Sequence, residues 1–148
     1  MKPSIAYREH AARGAHPVRL VVLLYEQMIE DLRQATNAIR QNNVELRTHR
    51  INHAISVIGY LQSCLNRDAG GQVALHLERF YDQLRGNLVK AHFSVSPAIL
   101  SQQITDLLSL RETWSEVERA EAAAVNPSPF PRPADKTAFS VSGTDWTG

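Results

Sequence analysis

Cysteine is almost absent from this chain: among its 148 residues only Cys64 occurs, so no internal disulfide can staple the fold. Cys64 sits at helical spacing between Leu61 and Leu65, where a thiol behaves as a small apolar side chain and, once buried, is inert. That usage fits a reducing compartment. An excess of one charge is also missing, since 16 basic and 15 acidic residues leave a formal net charge of +1. A dedicated nucleic-acid binder carries a larger basic surplus. Long apolar runs are lacking as well. No stretch is long enough to span a bilayer, and the opening MKPSIAYREHAARG has no uninterrupted apolar segment after its charges,. These absences make the cytoplasm the expected location, with no nucleic-acid partner and no membrane insertion.

The motifs of catalysis are equally scarce. Gly70-Gly71 is too short for a phosphate-binding loop, because neither GxxxxGK[ST] nor GxGxxG occurs,. His49 and His53 have the four-residue spacing that lets two imidazoles on a helix meet one metal ion. Arg50, however, stands where a zincin motif needs glutamate, and no Glu-x-x-His pair occurs to build a di-iron site,. These histidines therefore read as solvated surface residues. Glu26, Glu30, Asp31 and Arg33 fall mainly off the apolar stripe of their helix and read as a solvated face. No cofactor, metal or catalytic residue is expected, and the chain reads as a non-enzyme.

What is present is apolar content, 43% of the sequence, enough for the core of one domain. It recurs with helical period in four segments, and none shows strand alternation. The first spans about 17–41, with Val21, Tyr25, Met28, Leu32, Ala35 and Ile39 on one stripe and Pro17 in the first turn. Asn42 and Asn43 read as a tight connection. The second spans about 44–66, repeating Val44, Ile51, Ile58 and Leu65 at sevens beside Ala54 and Leu61. The run 67–71, ending in Gly70-Gly71, reads as a turn. The third spans about 72–93 and presents Val73, Leu77, Phe80, Tyr81, Leu84, Leu88 and Ala91. Ser96-Pro97 is an N-cap and first-turn signature. It opens a fourth helix through Leu100, Ile104, Leu107, Leu108, Trp114 and Val117, fading within 121–125.

Helices of similar length joined by short loops must fold back on their neighbours. The expected fold is all-α, an antiparallel up-down-up-down four-helix bundle over 17–125. It is preceded by a flexible N-terminal arm, 1–16, and followed by a disordered proline-rich tail, 126–148. Phe130, Phe139 and Trp146 would give that tail a short recognition motif if it docks. Helix one carries apolar residues beyond its stripe: Leu20, Val22, Leu23, Leu24 and Ile29. Such a helix either faces a wide core or has a second surface for a partner.

The order of motifs resembles that of the flagellar secretion chaperone family FliS, over about 7–118. Ala15, Pro17, Leu20, Leu24, Tyr25 and Glu26 are similar to the family's ASPxxLxxxLYD opening. Ala54, Ile58, Leu61, Leu65 and Asn66 follow its Ile-x-x-Leu-x-x-x-Leu segment. GGQVALHLERFYDQLRGNLVKAH resembles GGEIAxNLxxLYxYMxRRLxxAN, with Gly70, Gly71, Ala74, Leu77, Tyr81, Leu84, Leu88 and Ala91 in register. Leu110 to Trp114 resembles the closing LREAW. Departures fall at His16, Gln27, Gln83 and His92. The resemblance implies a cytosolic export chaperone that binds the disordered C-terminal segment of flagellin, prevents premature polymerisation and delivers it to the flagellar type III export gate. It also implies a client groove, for which Ile58, Leu61, Leu65, Leu77, Tyr81 and Leu84 are the candidates. The arm carrying Ile5 and Tyr7 would cover part of that groove in the free chaperone. A homodimer is a further possibility. The competing readings from the residues alone are a metal- or cofactor-binding helical bundle and a structural bundle that self-associates.

Overall fold

The computed structural model describes residues 17–123, which form four helices. They are α1, Pro17–Arg40; α2, Val44–Ser63; α3, Arg67–Ser94; and α4, Pro97–Ala123. The expected arm, with Ile5 and Tyr7, and the expected tail, with Phe130, Phe139 and Trp146, lie outside the described residues. Helix α1 packs against α2 and α4, and α3 closes the ring by packing against the same two helices. Consecutive helices are thus neighbours, which is the up-down-up-down arrangement that short connections impose.

Local chemistry sets the connections. Asn42 takes the left-handed conformation, φ 56°, and Asn43 N–H reaches back to the Ala38 carbonyl at 2.8 Å, the six-to-one bond that closes a helix C-terminus. The Asn43 side chain then accepts from Leu46 N–H at 3.0 Å and caps α2. Asn66 does the same for α3 through Ala69 N–H at 3.0 Å, and Ser96 for α4 through Ile99 N–H at 3.2 Å. Each such cap is worth about 1 kcal/mol. Val95, which ends α3, is also left-handed, φ 52°. That conformation is costly for a β-branched residue.

Two boundaries differ from the sequence reading. Helix α2 stops at Ser63 rather than 66, because Asn66 serves the next helix as its cap. The Gly70-Gly71 pair is not a free turn: Arg67–Gly70 already winds as a helical turn, with Gly70 N–H on the Asn66 carbonyl at 2.7 Å. The break is confined to Gly71, at φ 54° and ψ −129°, a conformation open to glycine and strained for other residues. It kinks α3 one turn after its start.

The core answers the question that α1 posed. Val22, Leu24 and Ile29 are buried along with Val21, Tyr25, Met28, Leu32 and Ala35, while Leu20 and Ile39 pack at the core's edge. Four of the five extra apolar residues of α1, all but the half-buried Leu23, therefore widen one core face, which its two packing neighbours cover. Elsewhere the stripes overreach at their ends, since Val44 is 56% and Val73 is 53% exposed.

Candidate functional site

The core is crossed by a polar layer. Tyr25 of α1 and Tyr81 of α3 share a hydrogen bond, oxygen to oxygen 2.7 Å, with their rings edge to face. Either hydroxyl can donate. The Trp114 side chain of α4 hydrogen-bonds to Tyr25 as well, so three helices meet at one buried cluster. Burial pushes both phenols well above the usual tyrosine range, because an ionised ring would lose its hydration,. Neither is a candidate base. On the flank of this layer Arg111 pairs with Glu26 at 3.7 Å. Residues spread over three separate sequence motifs are thus neighbours in space.

A second polar cluster ties α1 to α2. Asp31 is fully buried, which corrects its reading as part of a solvated face. Its carboxylate accepts from Arg50 at 3.2 Å and from Gln27 at 3.0 Å, and lies 2.6 Å from Nδ1 of His53. His53 is correspondingly not a solvated surface histidine, although His49, stacked near it at 6.5 Å between centroids, is exposed. Buried charge persists only when paired and hydrogen-bonded, and the Asp31 cluster meets that condition. No group of three or more His, Cys, Asp or Glu side chains among the described residues is placed to hold a metal ion.

The six candidate groove residues are brought together, but on the inside. Ile58, Leu61, Leu65, Leu77, Tyr81 and Leu84 all belong to one core cluster, with Leu65 and Leu77, at 7% and 6%, the most accessible of the six. Both flank the Gly71 kink in sequence. Among the apolar side chains that do meet solvent, Leu75, Val89 and Phe93 share the side of α3 turned away from its buried stripe,. Phe93 is 81% exposed. The signal for it was legible, since Phe93 falls out of phase with Leu84, Leu88 and Ala91. The Asp31 cluster had no comparable signal.

A connected polar layer built from the tyrosine of the first helix, the tyrosine of the third and the tryptophan of the fourth turns motif order into a structural relation. The family model described as Flagellar protein FliS matches residues 1–121. The chain belongs to the FliS family. Among its relatives, the flagellar secretion chaperone FliSB of Pseudomonas aeruginosa is 31% identical over 109 residues, 74% of this chain and 86% of that protein. The flagellar secretion chaperone FliS of Vibrio cholerae is 28% identical over 104 residues, 70% and 76% of the two chains. That of Salmonella typhimurium is 26% identical over 111 residues, 74% and 82%. As in the sequence reading, FliS membership rests on motifs that the structure places largely in the core. No described helix of this FliS-family chain is long and apolar enough to cross a membrane.

Proposed function

We propose that this chain is a cytoplasmic, non-enzymatic export chaperone that binds the C-terminal segment of flagellin, keeps it from polymerising and passes it to the flagellar type III export gate. The observation that carries this reading is the FliS family match over residues 1–121, together with the likeness to flagellar secretion chaperones over 70% and 74% of the chain. The geometry supports it in a second way. A client that folds as it binds buries roughly 1,000–3,000 Å² and spends several kcal/mol on ordering, so it is served by extended shallow apolar surface rather than by one deep pocket. Leu75, Val89 and Phe93 supply such surface along α3.

The α2–α3 edge is the proposed client face. Ile58, Leu61, Tyr81 and Leu84 form its closed inner wall, and Leu65 and Leu77, which flank the Gly71 kink in sequence, are buried there too but least completely. Titration calorimetry with the flagellin C-terminal segment at several temperatures tests the assignment. Binding with a clearly negative heat-capacity change is expected, and no binding removes it. Leu75→Asp and Phe93→Asp alter exposed positions, so both variants should keep full helicity while binding more weakly. Wild-type affinity in both would take the outer face of α3 out of the client site. Light scattering in the same samples reports whether that face joins two copies instead.

A further inference from the structure

One cleft lies away from the proposed client face. It opens between the C-terminal half of α1 and the N-terminal half of α4 and encloses about 520 Å³. Arg33, Thr36 and Arg40 line one wall, at positions that share a face of α1 because they are three, four and seven residues apart,. The other wall is Ala98, Ser101 and Ile104 of α4, likewise one stripe. The two helices run antiparallel, so Arg40 lies toward the start of α4 and Arg33 toward Ile104. The cleft is therefore a trough about two helical turns long, with a guanidinium near each end and a mixed lining between, polar at Thr36, Asn37 and Ser101 and apolar at Pro97, Ala98 and Ile104,.

Its charge is one-sided. No acidic residue lines the cleft, and the first turn of α4 carries none either. Glu30 and Asp106 accept from Gln34 at 2.7 Å and Gln102 at 3.0 Å, and among the described residues neither forms an ion pair with Arg33 or Arg40. Arg40 is held toward the cleft wall by a 2.9 Å bond to Asn37. Arg33 has no carboxylate partner among the described residues, in contrast to Arg19, Arg50, Arg85 and Arg111. Both arginines are exposed, so their charges remain available to a partner.

From this we infer that the α1–α4 cleft is a docking site for an acidic amphipathic helix of a partner protein. Two carboxylates about seven residues apart on such a helix are separated by roughly 10 Å along its axis, which matches the Arg33 to Arg40 spacing on α1. A small or apolar side chain between them meets Ala98 and Ile104. The shortness of the trough fits a peptide better than a nucleic-acid backbone, as does the chain's net charge of +1,. The site is separate from the α2–α3 edge, so its occupancy does not depend on the flagellin reading.

The full chain is titrated by fluorescence anisotropy with a labelled alanine-based helical peptide of about 18 residues, long enough to be helical in water. It carries glutamates at positions i and i+7 and a leucine at i+3; a matched probe carries lysines instead. The glutamate probe is expected to bind, with affinity falling as salt rises from roughly 50 to 300 mM, and the lysine probe is not. Arg33→Glu and Arg40→Glu should each cost about tenfold or more. Ala98→Trp, which fills the cleft from an exposed position, should abolish binding while circular dichroism stays unchanged. Equal binding of the two probes, or full binding by folded Arg33→Glu, Arg40→Glu and Ala98→Trp variants, overturns the proposal. Sedimentation showing a dimer that Arg33→Glu dissolves also overturns it, because a second copy is then the occupant.

Discussion

At the scale of single residues, Tyr25 and Tyr81 each bury a hydroxyl that has little choice of partner. Tyr25→Phe takes the partner from both Tyr81 and Trp114, whereas Tyr81→Phe leaves Tyr25 its bond from Trp114, so the first should cost about 1–3 kcal/mol and the second less, and the double variant should cost less than the sum,. Urea unfolding checks both. The raised phenol pKa values add a pH dependence with a fixed sign. An unfolded tyrosine ionises near 10, so above about pH 10 the unfolded chain has released protons that the folded chain retains, and stability falls as pH rises further. Relative to the double phenylalanine variant, the wild type should lose stability only above that pH. Asp31 is the acidic counterpart. Asp31→Asn leaves Arg50 and His53 without their buried anion, and a loss of about 2 kcal/mol is expected, moderated because Arg50 is a quarter exposed,. The Nε of Arg50 is already buried without a hydrogen-bond partner, so the substitution takes away what offsets that cost.

For the helices as elements, the glycines separate conformation from packing. A methyl group at Gly59, Gly71 or Gly86 would meet nothing within 4 Å, so no clash confounds the comparison. At Gly71 the positive φ is unfavourable for alanine, and Gly71→Ala should destabilise by about 2 kcal/mol or straighten α3 at the kink. Gly59 and Gly86 lie inside regular helix, where alanine should add about 0.5–1 kcal/mol each,. Thermal melts of the three variants give opposite signs. If straightening α3 by Gly71→Ala also changes flagellin binding, the kink governs access to Leu65 and Leu77.

Considered as a whole molecule, the described buried hydrophobic residues run from 18 to 114. The proline-rich sequence after Val125 lacks periodic apolar content, so truncation there should leave the melting temperature within about 2 °C of the full chain, a shift that corresponds to a fraction of a kcal/mol. Scanning calorimetry measures it. A fall of many degrees would assign a docking role to Phe130, Phe139 or Trp146. Ion pairs on the bundle surface, such as Arg19–Glu118 at 3.8 Å, are exposed enough to contribute little. Stability at this scale is a matter of the apolar interior and its two polar clusters.

The sequence by itself determined the four described helices, the asparagine connection after the first, the serine cap of the fourth, most of the inward stripes and the family. Each of these depends on residues close together in the chain, through helical period, capping and turn chemistry. Tertiary structure decided how wide an arc of each helix is covered. Glu26, Glu30, Asp31 and Arg33 look alike as a charged run, yet Asp31 alone is sealed, because α2 brings Arg50 and His53 over it. The same dependence put Leu20 at the edge of the core and left Leu23 half-buried while closing over Val22 and Ile29. It also turned the six expected groove residues inward and left Phe93 in solvent. Periodicity gives the direction in which a side chain points from its own helix, but burial depends on which other helix stands there, and only packing of distant segments supplies that.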